Sequence, residues 1–386
     1  MKRLIFAMLL VIAVVTLAAC APAPTPVPPP PPTTAPQPTA VPPTAAPAQP
    51  TAAPAQPTKA PEPTKAPEPT KAPAPTAAPT AVPAKPFRVA VVLPSAANDL
   101  AFSQSMVEAL KLVQADLGKD KFDFVYTDGM GNPPDAAAAI RDYATKGFDL
   151  VIAHGSQYGG VLPDVATDFP KTSFAWGTAV DTFSSKVKNI NAYTVASDQG
   201  GYVEGVIAAK LSKSGSVGAI GPVPAGDGQL TILGFEAGAK ATNSNIKVAK
   251  TFTNDFNNAA LMSQAAQTMI ANGADVLTGT SQAVVGAISV AKDKNVLWFG
   301  NQSAQTSLAP KVVVANQVYD WSPFIKQMMD NTKAGKLGGE VMTGTFKNKV
   351  LVIDYNKDYA LPADVKALAD KTIAGLIDGS IQTGVK

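Results

Sequence analysis

The 386-residue chain contains one cysteine, Cys20, and one histidine, His154. A lone cysteine closes no internal disulfide, and so thin a supply of Cys and His assembles neither a Cys/His metal site nor a Cys–His nucleophile. No G-x-S-x-G elbow and no G-x-x-x-x-G-K-[ST] phosphate loop occurs, and Gly218-Ala219-Ile220-Gly221 is only a fragment of a dinucleotide fingerprint. The formal net charge is +3, part of it from lysines near the N-terminus, which leaves no basic surplus for nucleic acid. His154 follows an apolar run without an identifiable catalytic partner and reads as a hydrogen-bonding residue at a strand end. The expectation is therefore a chain without enzymatic activity, cofactor, metal or nucleic-acid partner.

What the chain has in plenty is proline, 35 residues, most of them before position 87. Residues 1–20 carry Lys2 and Arg3, an apolar run over 4–15 and the ending Leu17-Ala18-Ala19-Cys20. The run is shorter than the roughly 20 residues that span a bilayer, and the pattern is that of a signal peptide. Its ending resembles a lipobox, so Cys20 is the expected lipidation site, holding the mature protein on the outer face of a cell membrane. Segment 21–86 is almost entirely Pro, Ala and Thr, with TAAPAQP twice over 44–57 and three TKAPEP-like units over 58–75. Such a composition buries too little apolar surface to fold and reads as a disordered linker. Fully extended at 3.1 Å per residue, it reaches about 200 Å.

From position 87 the pattern changes. Residues 88–93 form a short buried-strand run, broken by Pro94, Ser95, Asn98 and Asp99 before a helical pattern over 101–117. Strand-type runs at 122–126, 150–153, 173–176 and 189–195 follow, with helices at 101–117 and 134–146 among them. A second, similar series begins after the helix 197–211: strands at 216–221, 247–253, 275–280 and 296–299, with helices at 230–241, 259–272 and 283–292. This is the rhythm of βα units, and it predicts an α/β fold with two doubly wound parallel-sheet lobes around a ligand cleft. A strand at 311–318, a helix at 321–336, a two-strand hairpin over 341–355 and a helix over 362–377 complete the chain. The expected division is 87–196 with 319–340 in one lobe and 197–318 with 341–386 in the other.

In open α/β sheets, ligands sit beyond the carboxyl ends of the strands. Those ends carry amides, carboxylates and aromatics: Asn98, Asp99, Phe102, Gln157, Tyr158, Trp176, Asp198, Asn254, Asp255, Phe256, Gln282, Asn301, Gln302 and Gln317. Aromatic faces stack a flat group while amides and carboxylates pair with hydroxyls and ring N–H groups, a mix suited to a small polar ring. Core packing is the rival role for each aromatic: Phe102 suits either equally, Trp176 at its strand end leans to the ligand and Phe299 to the core, and Asp198 can serve simply as a first-turn charge favouring its helix dipole.

Several segments in order resemble one family. Asp99-Leu100-Ala101-Phe102-Ser103, Ser197 through Gly205, Gly215-Ser216-Val217-Gly218, Gly234-Phe235-Glu236-Ala237-Gly238-Ala239 and Asn272-Gly273-Ala274-Asp275-Val276 are similar to motifs of the basic membrane lipoprotein family. These are the substrate-binding lipoproteins of ABC importers, with the type I periplasmic-binding-protein fold, and they include purine-nucleoside binders. The resemblance implies a monomeric binding lipoprotein that passes a small-molecule ligand to ABC permease subunits, with Asp99 touching ribose and Phe102 touching the base. Two positions depart from the nucleoside binders: Asn301-Gln302-Ser303 replaces a carboxylate, and Gln317 stands for a lysine. A nucleoside, a nucleobase, a modified purine and another neutral polar molecule all remain open. A sensor receptor that signals without transport is the alternative.

Overall fold

The computed structural model describes residues 85–385. The expected signal segment 1–20, Cys20 and all but the last two residues of the segment 21–86 lie outside the described residues.

The first strand, β1 (Phe87–Val92), is buried on both faces along Val89, Ala90, Val91 and Val92. That burial is the mark of a parallel strand covered by helices on either side. β2 (Phe122–Thr127), β3 (Leu150–Ala153), β4 (Ser173–Gly177) and β5 (Ile190–Val195) join it in one six-stranded sheet, completed by β11 (Val341–Gly344), in the order β11-β5-β4-β3-β1-β2. A second sheet, in the order β12-β10-β9-β8-β6-β7, is built from β6 (Ser216–Gly221), β7 (Lys247–Phe252), β8 (Val276–Gly279), β9 (Leu297–Gln302), β10 (Val313–Tyr319) and β12 (Leu351–Tyr355). All pairings are parallel except β10 with β12. Helices α1 (Phe102–Leu117), α2 (Pro133–Thr145), α3 (Leu162–Asp168) and α8 (Ser322–Lys333) accompany the first sheet. Helices α4 (Ser197–Leu211), α5 (Gly226–Thr242), α6 (Ala259–Ala271), α7 (Val285–Asp293) and α9 (Ala363–Asp378) accompany the second.

The two lobes are thus joined three times: between β5 and α4, between β10 and α8, and between β11 and β12. The expected hairpin over 341–355 does not form. Val341–Gly344 pairs parallel with β5 in the first sheet, whereas Leu351–Tyr355 pairs antiparallel with β10 in the second. Residues 341–344 therefore belong with the first lobe and not, as the sequence pattern suggested, with the second. Alternating burial identifies a half-covered strand but carries no information about which open sheet edge it will complete. The short helix α3 was also not anticipated.

The second lobe rests on an unusually close helix pair. A Cβ placed on Gly201 or Gly205 of α4 would fall 2.1 Å from the carbonyl oxygen of Thr231 or Phe235. One on Gly234 or Gly238 of α5 would fall 2.1 or 2.0 Å from the carbonyl oxygen of Asp198 or Tyr202. Glycines four apart on both helices thus bring the two backbones together, and this contact seats the start of α5 beside the β5–α4 crossing.

Candidate functional site

A cavity of about 460 Å³ opens between the lobes at the carboxyl ends of both sheets. The first lobe supplies Pro94 and Ser95 after β1, Gly131 after β2, Gly155 to Gln157 after β3 and Thr178 after β4, with Phe102 from the first turn of α1. The second supplies the 222–228 turn after β6, Phe256 and Asn257 after β7, Thr280 to Gln282 after β8, and Gln302 at the end of β9. Two of these strand ends hold left-handed backbone at side chains that rarely adopt it, Thr178 at φ 56° and Gln302 at φ 73°. Such conformations persist where surrounding structure holds them, and they gather at ligand sites.

Phe102 is 5% exposed, and its ring stacks on His154 with centroids 3.8 Å apart and planes 5° from parallel. His154 is fully buried. The Tyr193 hydroxyl, 2.7 Å away, donates to Nδ1, which leaves Nε2–H to donate to the Phe102 carbonyl at 3.1 Å. Burial drives its pKa down to about 3 against the opposing pull of that carbonyl, so the ring stays neutral. Trp321, at the β10–α8 crossing, sits edge-on to Phe102 and His154 and donates from Nε1 to Ser105 Oγ at 2.8 Å. His154 is therefore the rigid backing of an aromatic face. The second lobe presents another ring, Phe256, which is 44% exposed.

Of the residues singled out by sequence, Phe102, Gln157, Phe256 and Gln282 line the cavity, and so does Gln302 of the wider strand-end set. The others have different occupations. Asp99 caps α1: its carboxylate accepts the N–H groups of Ala101, Ser103 and Gln104 and the hydroxyl of Ser95. With four donors already in place it does not reach the cavity, and neither does the exposed Asn98. Tyr158 is buried and donates to the Met130 carbonyl at 2.7 Å. Trp176 donates to the Gly155 carbonyl at 3.1 Å and stacks on Phe183, so it holds the 155–160 turn from behind. Asp198 accepts the Thr383 hydroxyl at the start of α4.

Asn301 and Gln317 form a layer beneath the cavity floor. Gln317 Nε2 donates to Asn301 Oδ1 at 2.7 Å, and Asn301 Nδ2 donates to Thr278 Oγ1 at 2.9 Å. The same layer holds Glu204, completely buried, whose Oε1 accepts the Gln317 backbone N–H at 3.1 Å and whose Oε2 lies 3.2 Å from the Thr278 hydroxyl. Burial pushes the Glu204 carboxyl well above the usual range, against the opposing hydrogen bonds from Thr278, Gln317 and Asn301. The sequence did carry a signal for it, as a lone acid in the apolar stretch Val203 to Ala209.

Asp227 was the cavity residue most clearly missed. It stands in the first turn of α5 and is 8% exposed. Oδ1 accepts the Thr194 hydroxyl at 3.1 Å, and its backbone carbonyl accepts the hydroxyls of Ser197 at 2.8 Å and Thr231 at 3.0 Å. Burial raises its pKa to about 7, with the Thr194 bond opposing. Applying the strand-end argument to β6, as it was applied to the other strands, would have pointed to the turn that holds it. Thr178, Thr280 and Ser281 were passed over in the same way.

Two parallel-sheet lobes joined by three crossings, with a cavity enclosed at the strand ends of both, define a solute-binding protein of the type I periplasmic-binding fold. The chain belongs to the family described as ABC transporter substrate-binding protein PnrA-like, which it matches over residues 87–382. It is 30% identical over 267 residues to a purine-binding protein of Brucella abortus (strain 2308), covering 67% of this chain and 72% of that protein. It is 26% identical over 296 residues to the transcriptional activator protein med of Bacillus subtilis (strain 168), covering 71% of this chain and 90% of that one. A solved ABC transporter solute-binding protein from Conexibacter woesei superposes with a TM-score of 0.66 at 26% identity, covering 77% of this chain and 98% of the other.

Proposed function

We propose that this chain captures a purine nucleoside or nucleobase-like compound between its lobes and delivers it, unchanged, to the permease subunits of an ABC importer. The observation that carries the reading is the pairing, within one cavity, of a buttressed aromatic face at Phe102 with polar groups from the opposite lobe. A flat heterocycle satisfies both at once, and only a closed arrangement makes both sets of contacts, so binding favours closure. The purine-binding Brucella relative supports the ligand class. Release without chemical change is supported by a lining in which, among the described residues, Asp227 is the one ionisable side chain. The pattern ending at Cys20 supports tethering by lipid to the outer face of a membrane, with the Pro-rich segment as spacer.

The test is thermal unfolding of the full-length protein against purine nucleosides, nucleobases, sugars and amino acids. A ligand at 100 times its dissociation constant adds about 2.7 kcal/mol and raises the midpoint by a few degrees. The expected result is a shift with purines that disappears in Phe102→Ala. A shift with sugars or amino acids alone overturns the purine class.

A second reading, a ligand-responsive receptor that signals without transport, is favoured by the similarity to a transcriptional activator over 90% of that protein's length. Co-purification of a permease and an ATPase with the intact protein separates the two: capture of both supports import, and their absence supports signalling.

A further inference from the structure

The buried groups of the cavity that lack a hydrogen-bond partner all lie on one side of it. Asp227 lines it, is more than nine-tenths buried, and has a carboxylate oxygen, Oδ2, with no partner. The side-chain oxygens of Gln282 and Gln302, which line the same space, also have none. A buried acceptor left without a donor costs about 1–3 kcal/mol, so three in one cavity wall mark a place where donors arrive from outside the chain. Among the described residues no lysine, arginine or histidine lines the cavity to receive an anion.

The geometry points to Asp227 as the specificity-determining residue of the cleft: its Oδ2 accepts a hydrogen bond from a ring N–H of the solute, beside Gln282 and Gln302. The site therefore takes neutral or cationic heterocycles rich in donors and refuses phosphorylated or carboxylated ones. The inference rests on the reading of the cleft as a purine site and names the residue that selects within that class. The same carboxylate holds Thr194, which lies on β5 of the first lobe, through Oδ1. A ligand bond at Oδ2 and an inter-lobe bond at Oδ1 thus share one group.

A carboxylate that accepts from the ligand acts in its ionised form. The titratable group facing Asp227 is Tyr319 from β10, itself pushed upward by burial and also facing Glu204 from α4, and no cation stands against Asp227 to offset its upward shift by burial. Ligand affinity accordingly rises as the pH goes from 6 to 8.

The experiment is calorimetric titration of the full-length protein with hypoxanthine and with adenosine 5′-monophosphate at pH 6, 7 and 8, repeated on Asp227→Asn. The variant keeps the side-chain shape and an oxygen for Thr194 while placing an N–H donor where the acceptor stood. Losing a hydrogen bond to a charged group lowers hypoxanthine affinity about tenfold or more, and the pH slope flattens. The monophosphate gives no binding to either protein. Gln302→Leu keeps the test decisive if Asp227→Asn does not fold: it weakens hypoxanthine and leaves the pH slope in place. Unchanged affinity and slope in Asp227→Asn, with loss in Phe102→Ala, overturn the role of Asp227 and leave the purine reading standing. Monophosphate bound as tightly as hypoxanthine overturns the exclusion of anions. If hypoxanthine and purine nucleosides leave the wild-type protein silent at every pH, the purine reading falls and the assignment falls with it.

Discussion

The two walls of the cleft are made from the same βα unit but are left in opposite states. On the first lobe the buried polar groups near the cavity are already paired, and only the exposed Ser156 and Gln157 side chains of its lining stand open. Asp99 holds four donors, the Ser95 and Ser103 hydroxyls lie 2.6 Å apart, and His154 is held between Tyr193 and the Phe102 carbonyl. What that wall offers a ligand is a stiff apolar face together with the exposed side chains of Ser156 and Gln157. On the second lobe Asp227, Gln282 and Gln302 each keep an oxygen without a partner. A shared topology therefore sets where a ligand lies but not which chemistry each lobe contributes: one wall stacks, the other recognises.

The comparison breaks most completely if the second wall loses its foundation. In Gly205→Val the new Cβ would lie 2.1 Å from the Phe235 carbonyl oxygen, a backbone atom that cannot swing aside. The expected loss exceeds about 4 kcal/mol, read as a fall in the urea midpoint, and an unchanged midpoint would show that α4 and α5 need not touch. Next in size is Phe102→Ala, which empties the stacking face. Truncating a buried phenylalanine costs about 3–5 kcal/mol, and ligand binding should vanish with it, whereas Phe102→Tyr or Phe102→Leu should retain most of the stability.

The pH dependence of folding sharpens the contrast, because the two walls titrate in opposite directions: His154 behind the first, held down at about 3, takes stability away as the pH falls below 6.5, whereas Asp227 on the second takes it away as the pH rises. Asp227 is raised from its ordinary 3.8 to about 7, so its proton is bound more tightly in the folded protein than in the unfolded chain. Its contribution is fully present below the unfolded value and is lost as the pH rises through about 7. At 1.36 kcal/mol per unit the decline amounts to roughly 4 kcal/mol. His154 is common to both proteins, so the urea midpoint of the wild type minus that of Asp227→Asn, collected from pH 4 to 8, should fall as the pH rises, and parallel curves would deny the shift. The smallest effect concerns the paired wall. Asp99→Ala removes a helix cap worth about 1–2 kcal/mol and should leave ligand affinity within about twofold; a large loss of affinity at preserved stability would return Asp99 to the binding surface.

Much of the architecture was legible because buried parallel strands leave a strong trace. Runs such as Val89 to Leu93 and Leu150 to Ala153 admit little but a strand covered on both faces, and their spacing admits little but βα units. The site was half legible. Phe102, Gln157, Phe256 and Gln282 follow from the rule that ligands meet strand ends, but that rule does not say which way a side chain at a strand end turns. Asp99 turns back onto its own helix because three free N–H groups lie within its reach. Tyr158 and Trp176 turn into the packing behind their turn, where a carbonyl satisfies each polar tip. Asn301 and Gln317 face each other below the floor, next to a glutamate that comes from another helix.

Composition and periodicity determined the two-lobed α/β plan, the aromatic and amide character of the strand ends, and the glycines that let α4 and α5 meet, since each is written in the local order of residue types. Tertiary structure alone decided that residues 341–344 and 351–355 part to complete different sheets, that His154 backs an aromatic ring, and that Asp227 keeps an oxygen free. Each of these depends on which groups from distant parts of the chain come within hydrogen-bonding reach, and local sequence carries no record of that.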